Sequence, residues 1–236
     1  MRSYGFTIAA AAHPTKAELK ACKPFQHVEI RLLPKYLNDR TVKSRARKYI
    51  YNHGMIPTIK APHSIKYGSV PYIPQTLDWA RYLDAEIVSI VSSQSLDDRF
   101  VNGNHHGIQL LVENSYYLYK PRKIRDYINK HNLEGMTFVP EKFSKFNTDL
   151  SSVFREFRLL VKYAHMANRI DAGRAHRPLG DGVITREEWK NLFLTMMRAD
   201  FKGTIVFCPR EQNYSRRQKF LESLAYFNDI MHEIYS

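Results

Sequence analysis

The hydrophobic and polar positions of the chain alternate between short apolar runs and longer amphipathic stretches. The runs are rich in β-branched and aromatic residues, as buried strands are, and most are followed by a stretch with helical spacing of its apolar residues. Eight such runs occur, at residues 6–11, 28–32, 55–60, 87–91, 108–112, 136–139, 159–164 and 204–208. Strands that alternate with helices predict βα units and a parallel sheet.

The number and spacing of the runs favour a closed barrel. Eight runs in 236 residues give one βα unit about every 30 residues, which suits a lean (β/α)8 barrel. The alternative is an open doubly wound sheet, which usually carries a glycine-rich phosphate turn after an early strand. The sequence has no such turn. We therefore predict an α/β protein with one TIM-barrel domain over residues 1–236.

Residues that start or stop helices place several helices between the runs. A helix is predicted over residues 34–52, because His53 and Gly54 form a good helix stop. Thr185 and Glu188 have the spacing of a capping box that opens a helix through Met197. Further amphipathic helices are predicted over residues 76–84, 120–131 and 215–235.

Composition excludes several classes of protein. Hydrophobic residues make up 44% and aromatic residues 13% of the chain, which argues against disorder. No apolar run approaches the roughly 18 residues of a membrane-spanning helix, so no membrane partner is expected. The apolar N-terminal run is interpreted as a first strand rather than a secretion signal. Two cysteines, Cys22 and Cys208, are too few for a disulfide framework, so a reducing, cytoplasmic setting is expected.

The charge of the chain is strongly basic and unevenly distributed. The 36 Lys and Arg residues against 23 Asp and Glu residues give a net charge of +13. Residues 1–48 hold 11 Lys or Arg and 3 Asp or Glu, an excess of +8, with the densest run at residues 40–48. Such a surface favours polyanions, namely nucleic acid, phosphorylated metabolites or an acidic partner. The alternative interpretation is a solvated helix face, since the run lacks the interleaved aromatic residues of a base-stacking platform.

Polar residues end or follow several of the predicted strands, and the carboxyl ends of the strands are where a TIM barrel carries its function. They are Glu29, Arg31, Lys60, His63, Glu113, Asn114, Glu141, His165, His176, Cys208 and Arg210. Carboxylates and imidazoles gathered on one rim suit a divalent metal with an open coordination position. Arg and Lys on the same rim would hold a phosphate or an oxyanion.

Five segments carry a resemblance to a known family, at residues 28–31, 59–63, 110–114, 163–165 and 176–184. They include a Lys-Ala-Pro-His strand end, a Val-Glu-Asn strand end, a Tyr-Ala-His strand end and a loop with His, Pro-Leu-Gly and a further Gly. In these segments the chain resembles the xylose-isomerase-like TIM barrels, a superfamily of sugar-phosphate isomerases, epimerases and endonuclease-four-type apurinic-site nucleases. The resemblance spans nearly the whole chain.

The resemblance implies a metal site with four ligands. It places Glu113, Glu141, His165 and Cys208 around zinc, manganese or magnesium, and the cysteine favours zinc. Glu141 stands near the position of a family aspartate, and Cys208 stands where the family usually has glutamate. The fourth strand also lacks the histidine of the nuclease branch. A barrel that has lost its metal and its catalysis is therefore an alternative.

The function implied by the resemblance is metal-dependent isomerisation or epimerisation of a small sugar or sugar phosphate. Glu113 and Glu141 would hold the metal and exchange a proton at the carbon beside a carbonyl. The predicted substrate-binding residues are Arg31, Lys60, His63, His176 and Arg210. The alternatives are an endonuclease-four-type nuclease, a nucleic-acid-binding barrel and a non-catalytic barrel. The sequence leaves the substrate and the oligomeric state open.

Overall fold

The computed structural model describes residues 4–62, 72–91, 107–114, 120–144, 148–170, 175–209 and 216–236. Within these residues the strands follow the order β1–β10–β7–β6–β5–β4–β3–β2, which is that of a closed barrel. They are β1 (Thr7–Ala12), β2 (His27–Arg31), β3 (Ile56–Lys60), β4 (Ile87–Val91), β5 (Gln109–Glu113), β6 (Gly135–Phe138), β7 (Val161–Met166) and β10 (Thr204–Phe207). Each predicted run forms one of these strands, and the predicted TIM-barrel fold is confirmed.

Helices follow most of the barrel strands, and one small hairpin is added after β7. The helices are α1 (Lys16–Ala21), α2 (Arg40–Asn52), α3 (Ile73–Leu83), α4 (Pro121–Lys130), α5 (Pro140–Phe143), α6 (Leu150–Phe157), α7 (Arg186–Arg198) and α8 (Arg216–Tyr235), with a 3-10 turn at Pro34–Tyr36. The hairpin is an antiparallel pair, β8 (Asn168–Arg169) and β9 (Ala175–Arg177). No helix in the described part of the chain is both long and apolar enough to cross a membrane.

The chain divides into two compact units. One unit holds residues 11–137, and the other holds residues 1–10 and 138–236. In the first unit β2, β3, β4, β5 and β6 pair in parallel with their neighbours in chain order. In the second unit β10 lies between β1 and β7 and pairs in parallel with both. The single-domain assignment stays a prediction.

The strand interiors are buried on both faces, as parallel strands require. In the first unit the central residues of β2, β4 and β5 are almost all inaccessible to solvent. In the second unit the core is largely aromatic, and its rings meet edge to face in pairs such as Phe154 with Phe201 and Phe193 with Phe227. This packing restricts the movement of the strand ends, and so of the polar side chains that they carry.

The structure confirms the helix starts that carry a capping residue and corrects one helix. Thr185 and Glu188 form the predicted capping box at the start of α7. The helix predicted over residues 34–52 is wrong in its first part, which is a 3-10 turn at Pro34–Tyr36. Helix α2 begins only after Asp39, whose side chain accepts a hydrogen bond from the backbone N–H of Val42 and caps the helix. It ends at His53 and Gly54 as predicted, and Gly54 has a φ of 59°.

Candidate active site

The first group of polar side chains lies at the carboxyl ends of β3 and β5. Lys60 is the last residue of β3, Glu113 is the last residue of β5, and β4 lies between the two strands. The ammonium group of Lys60 forms an ion pair with Oε1 of Glu113. A residue predicted to bind substrate and a residue predicted to bind metal are therefore direct partners.

The Lys60–Glu113 pair is almost completely removed from water. Glu113 is 0% exposed and Lys60 is 8% exposed. The Ser89 hydroxyl on β4 donates to Oε1 of Glu113 over 3.5 Å and lies 2.9 Å from the Thr137 hydroxyl on β6. Because an isolated buried charge is costly, the close approach of the two opposite charges favours their burial.

A second ion pair lies on β2. Glu29 is fully buried, and its Oε1 accepts a hydrogen bond from Nε of Arg31 over 3.0 Å. The backbone carbonyl of Arg31 lies 2.7 Å from Nδ1 of His13, where the imidazole N–H donates to it. The chain's own carboxylate thus holds the Arg31 guanidinium, and the substrate-binding role of Arg31 stays a prediction.

In the second unit Glu141 and His176 contact each other at two points. Glu141 lies in α5, the single helical turn that follows β6, and His176 lies in β9. Nδ1 of His176 is 2.8 Å from Oε1 of Glu141, and the backbone N–H of His176 donates to Oε2 over 2.8 Å. His176 adopts a φ of 61°, in the left-handed region that is uncommon for histidine. The carboxylate therefore holds both the ring and the backbone of His176.

The ionised form of Glu141 is favoured in the folded protein. Burial raises the pKa of Glu141, but the attraction of His176 and the hydrogen bonds from its ring and backbone outweigh burial, so the pKa is lowered. A lowered folded-state pKa gives stability that is present above the unfolded pKa of about 4.3 and is lost as the pH falls through the folded value.

We therefore expect Glu141→Gln to remove part of the acid sensitivity of the fold. The glutamine keeps the shape of the side chain but cannot ionise, so the difference in unfolding free energy between wild type and variant should shrink as the pH falls below about 4.3. Urea denaturation of both proteins from about pH 7 to pH 3 measures this difference. Parallel pH profiles for the two proteins would contradict the assignment.

Asn168 anchors the loop that follows β7. Its fully buried side chain donates through Nδ2 to the carbonyls of Leu179 and Ile184, each over 2.8 Å. Its Oδ1 accepts from the backbone N–H of Arg169 over 2.8 Å and of Ile184 over 3.0 Å. Gly182 packs so closely here that a Cβ would lie 2.5 Å from Oδ1 of Asn168. One amide thus fixes both ends of the loop.

Arg169 is held by this anchor and is buried beside it. Its side chain is 5% exposed, and Nη1 has no hydrogen-bond partner. The part of the chain that the structure describes supplies no ion-pair partner for its guanidinium either. A buried guanidinium normally meets acceptors, because its desolvation is costly. An anionic or hydroxyl-bearing ligand would supply an acceptor for Nη1.

His165 and Cys208, the other two predicted metal ligands, are both buried in the second unit. The His165 ring packs edge to face against Tyr163, with ring centroids 5.6 Å apart. The Cys208 thiol lies 3.8 Å from the carbonyl oxygen of Met166. In the described ranges no three His, Cys, Asp or Glu side chains are grouped so that they could hold one metal ion. The four-ligand metal site stays a prediction.

The two remaining predicted substrate-binding residues, His63 and Arg210, lie outside the described residues. Two residues of the group in the first unit, Ser89 and Thr137, and two in the second unit, Asn168 and Arg169, were not predicted in any role. Asn168 and Arg169 directly follow the apolar run of β7. A polar pair at that place was the available signal, because strand ends are the functional edge of a barrel.

Comparison with known proteins shows the fold of this chain. No protein-family model and no curated protein matches the sequence. A D-allulose 3-epimerase from Methylomonas sp. superposes with a TM-score of 0.75 at 10% identity, over 95% of this chain and 98% of that one. The 3-keto-D-glucoside 4-epimerase from E. coli superposes with a TM-score of 0.71 at 15% identity, over 95% and 99%.

A further match is a xylose isomerase domain protein from Planctomyces limnophilus, with a TM-score of 0.72 at 13% identity over 98% of both chains. The chain has the fold of the xylose-isomerase-like sugar epimerases. The resemblance predicted from the sequence is confirmed at this level, and it extends over almost the full length of each of these structures.

Proposed function

We propose that this protein is a sugar isomerase or epimerase that moves a proton at a carbon beside a carbonyl. The observation that carries the proposal is the buried Lys60–Glu113 ion pair at the carboxyl ends of β3 and β5. Carboxyl ends of strands are where TIM barrels carry their chemistry. The structures with the same fold are named as epimerases of small sugars, which supports this class of substrate.

The chemistry assigned to the pair follows from its burial. The Glu113 carboxylate lies beside the Lys60 ammonium and is shielded from bulk water, so in this proposal it is the general base that takes a proton from the carbon. Negative charge then develops on the neighbouring carbonyl oxygen. The Lys60 ammonium stabilises that charge, since an oriented cation acts strongly where water is excluded. Return of the proton to the opposite face of the same carbon gives epimerisation. Return of the proton to the former carbonyl carbon, with the hydroxyl proton passing to the former carbonyl oxygen, gives isomerisation.

The metal that the fold family implies does not fit the described residues as they stand. Oε1 of Glu113 contacts the Lys60 ammonium, and both oxygens of Glu141 contact His176. No step of the proposal therefore depends on zinc, manganese or magnesium. Glu141 is proposed as a second proton-transfer group, which accepts a proton in its ionised form.

Within the second unit, Arg169 is proposed to bind an oxygen-rich ligand. The guanidinium has unused donor capacity and is buried, so it suits a substrate hydroxyl, carbonyl or phosphate oxygen. A free ketose and a sugar phosphate both present such oxygens. Solvent hydrogen exchange with both kinds of sugar distinguishes a free ketose from a sugar phosphate as the substrate.

Solvent hydrogen exchange tests the function directly. The protein is incubated in heavy water with a panel of ketoses and ketose phosphates, and deuterium at the carbons beside the carbonyl is followed by NMR. We expect exchange with at least one of these sugars in the wild type and its loss in Glu113→Gln. The matched control is Glu187→Gln, an exposed carboxylate on α7, which should exchange like wild type. Exchange that persists in Glu113→Gln would refute the role of Glu113, and a wild type inert toward the whole panel would refute the function.

A further inference from the structure

A cleft lies between α1 and α2, on helices rather than at the strand ends. Its volume is about 640 Å³. Its lining includes Lys16, Arg45, Lys48, Tyr49 and His53. Helix α2 is the segment that carries the densest basic run of the sequence, and residues 40–52 include no Asp or Glu. The proposed sugar chemistry uses none of these residues.

One side of α2 has its positive charge neutralised. Lys43 forms an ion pair with Asp78 of α3, and Arg47 forms one with Asp84 over 3.4 Å. Both cations also lie over the ring of Tyr82, at 4.7 Å and 4.8 Å from its centroid. The positive charges of Lys43 and Arg47 are therefore already compensated by contacts with α3 and with Asp84, the residue that follows it.

The cleft side of α2 has no such compensation. Arg45 and Lys48 are exposed cations that line the cleft, and Lys16 faces them from α1. Within the described residues none of the three takes part in an ion pair. Arg45 and Lys48 are three positions apart, which places them on one face about 4.5 Å apart along the helix axis. Three like charges around one cleft attract anions and repel one another.

The exposure of these cations favours a polymeric anion over a small one. A single ion pair in water contributes at most about 1 kcal/mol, so an isolated phosphate would bind weakly here. A chain of phosphates releases several condensed counterions at once and gains affinity from each. The cleft also offers an aromatic surface, because the exposed His53 ring stacks on Tyr49 with centroids 4.1 Å apart. Aromatic surfaces beside a basic groove suit unpaired bases.

We propose that the cleft between α1 and α2 binds single-stranded nucleic acid, with Lys16, Arg45 and Lys48 on the phosphates and His53 against a base. Binding is independent of sequence, since the cations contact the backbone. It is also separate from the Lys60–Glu113 pair, so it stands whether or not the protein epimerises sugars.

Two double variants of one helix test the proposal. Arg45→Gln with Lys48→Gln removes the cleft cations, and Lys43→Gln with Arg47→Gln removes the same charge from the side that faces α3. Binding of a fluorescent single strand of about 12 nucleotides is measured by anisotropy as a function of salt. At about 0.1 M salt we expect the cleft variant to bind about 10- to 100-fold more weakly, with a salt slope lower by about 2. The control variant should stay close to wild type.

The remaining outcomes each decide against the proposal or for it. An equal loss in both double variants would mean that net charge alone attracts the strand, and this overturns the cleft. Absence of binding by wild type at about 0.05 M salt overturns it as well. Tighter binding of duplex, or of heparin at matched charge, overturns the assignment to single strands. Weakening of about fivefold or more in His53→Ala supports the base contact.

Discussion

Replacing Lys60 by methionine is expected to lower the free energy of unfolding by about 3 to 5 kcal/mol. The substitution leaves Glu113, which is 0% exposed, without the ammonium group that it contacts. The buried carboxylate then lacks its compensating cation, which costs free energy. Urea denaturation at about pH 7 measures the loss. Lys43→Met is the matched control, because its partner Asp78 has a side chain that is 67% exposed, and it should cost less than about 1 kcal/mol.

The double variant Lys60→Met with Glu113→Gln separates stability from activity. Removing both charges together leaves no uncompensated ion, so much of the lost stability should return. Proton exchange should stay absent in the double variant, since both proposed chemical groups are gone. A double variant whose destabilisation is the sum of the two single effects would show that the residues do not interact. One that regains exchange would show that they are not catalytic.

Most of the fold could be predicted from the sequence because its strands are continuous apolar runs. Strand β4 was predicted with its observed bounds, Ile87–Val91. Elements shorter than two helical turns were missed because they show no periodicity. Helix α1 buries only Leu19 among its residues, and α5 is a single turn. Helix α6 was also missed, although Asp149 caps it and its buried residues Leu150, Val153, Phe154 and Phe157 have helical spacing.

The sequence predicted where polar residues of the candidate site lie along the chain, but not which side chains contact each other. Strand ends indicated Lys60, Glu113 and Glu141, because parallel strands bring their carboxyl ends to functional edges. The loop after the seventh strand indicated His176. The sequence could not show that Lys60 neutralises Glu113 or that His176 holds Glu141, because each contact joins distant segments. The family resemblance instead implied that one metal ion contacts both Glu113 and Glu141.

Asn168 was missed for a different reason, which is that asparagine after a strand usually indicates a turn. Here its side chain serves as a structural substitute for backbone pairing. It hydrogen-bonds the backbone N–H of Arg169 and both backbone groups of Ile184. The carbonyl of Leu179 keeps a second donor, Nε1 of Trp189 at 3.1 Å, so it depends less on Asn168.

Asn168→Ala is therefore expected to lower the free energy of unfolding by about 2 to 4 kcal/mol. The alanine leaves the N–H of Arg169 and both backbone groups of Ile184 without their side-chain partner in a site that is fully buried. Because Asn168 holds the backbone of Arg169, the variant should also displace the Arg169 guanidinium. It should therefore raise the KM of any sugar substrate more than it lowers kcat. Asn191→Ala is the matched control, since that amide is exposed on α7 and its loss should change stability by less than about 0.5 kcal/mol. Equal effects of the two substitutions in urea denaturation would show that Asn168 does not anchor the loop.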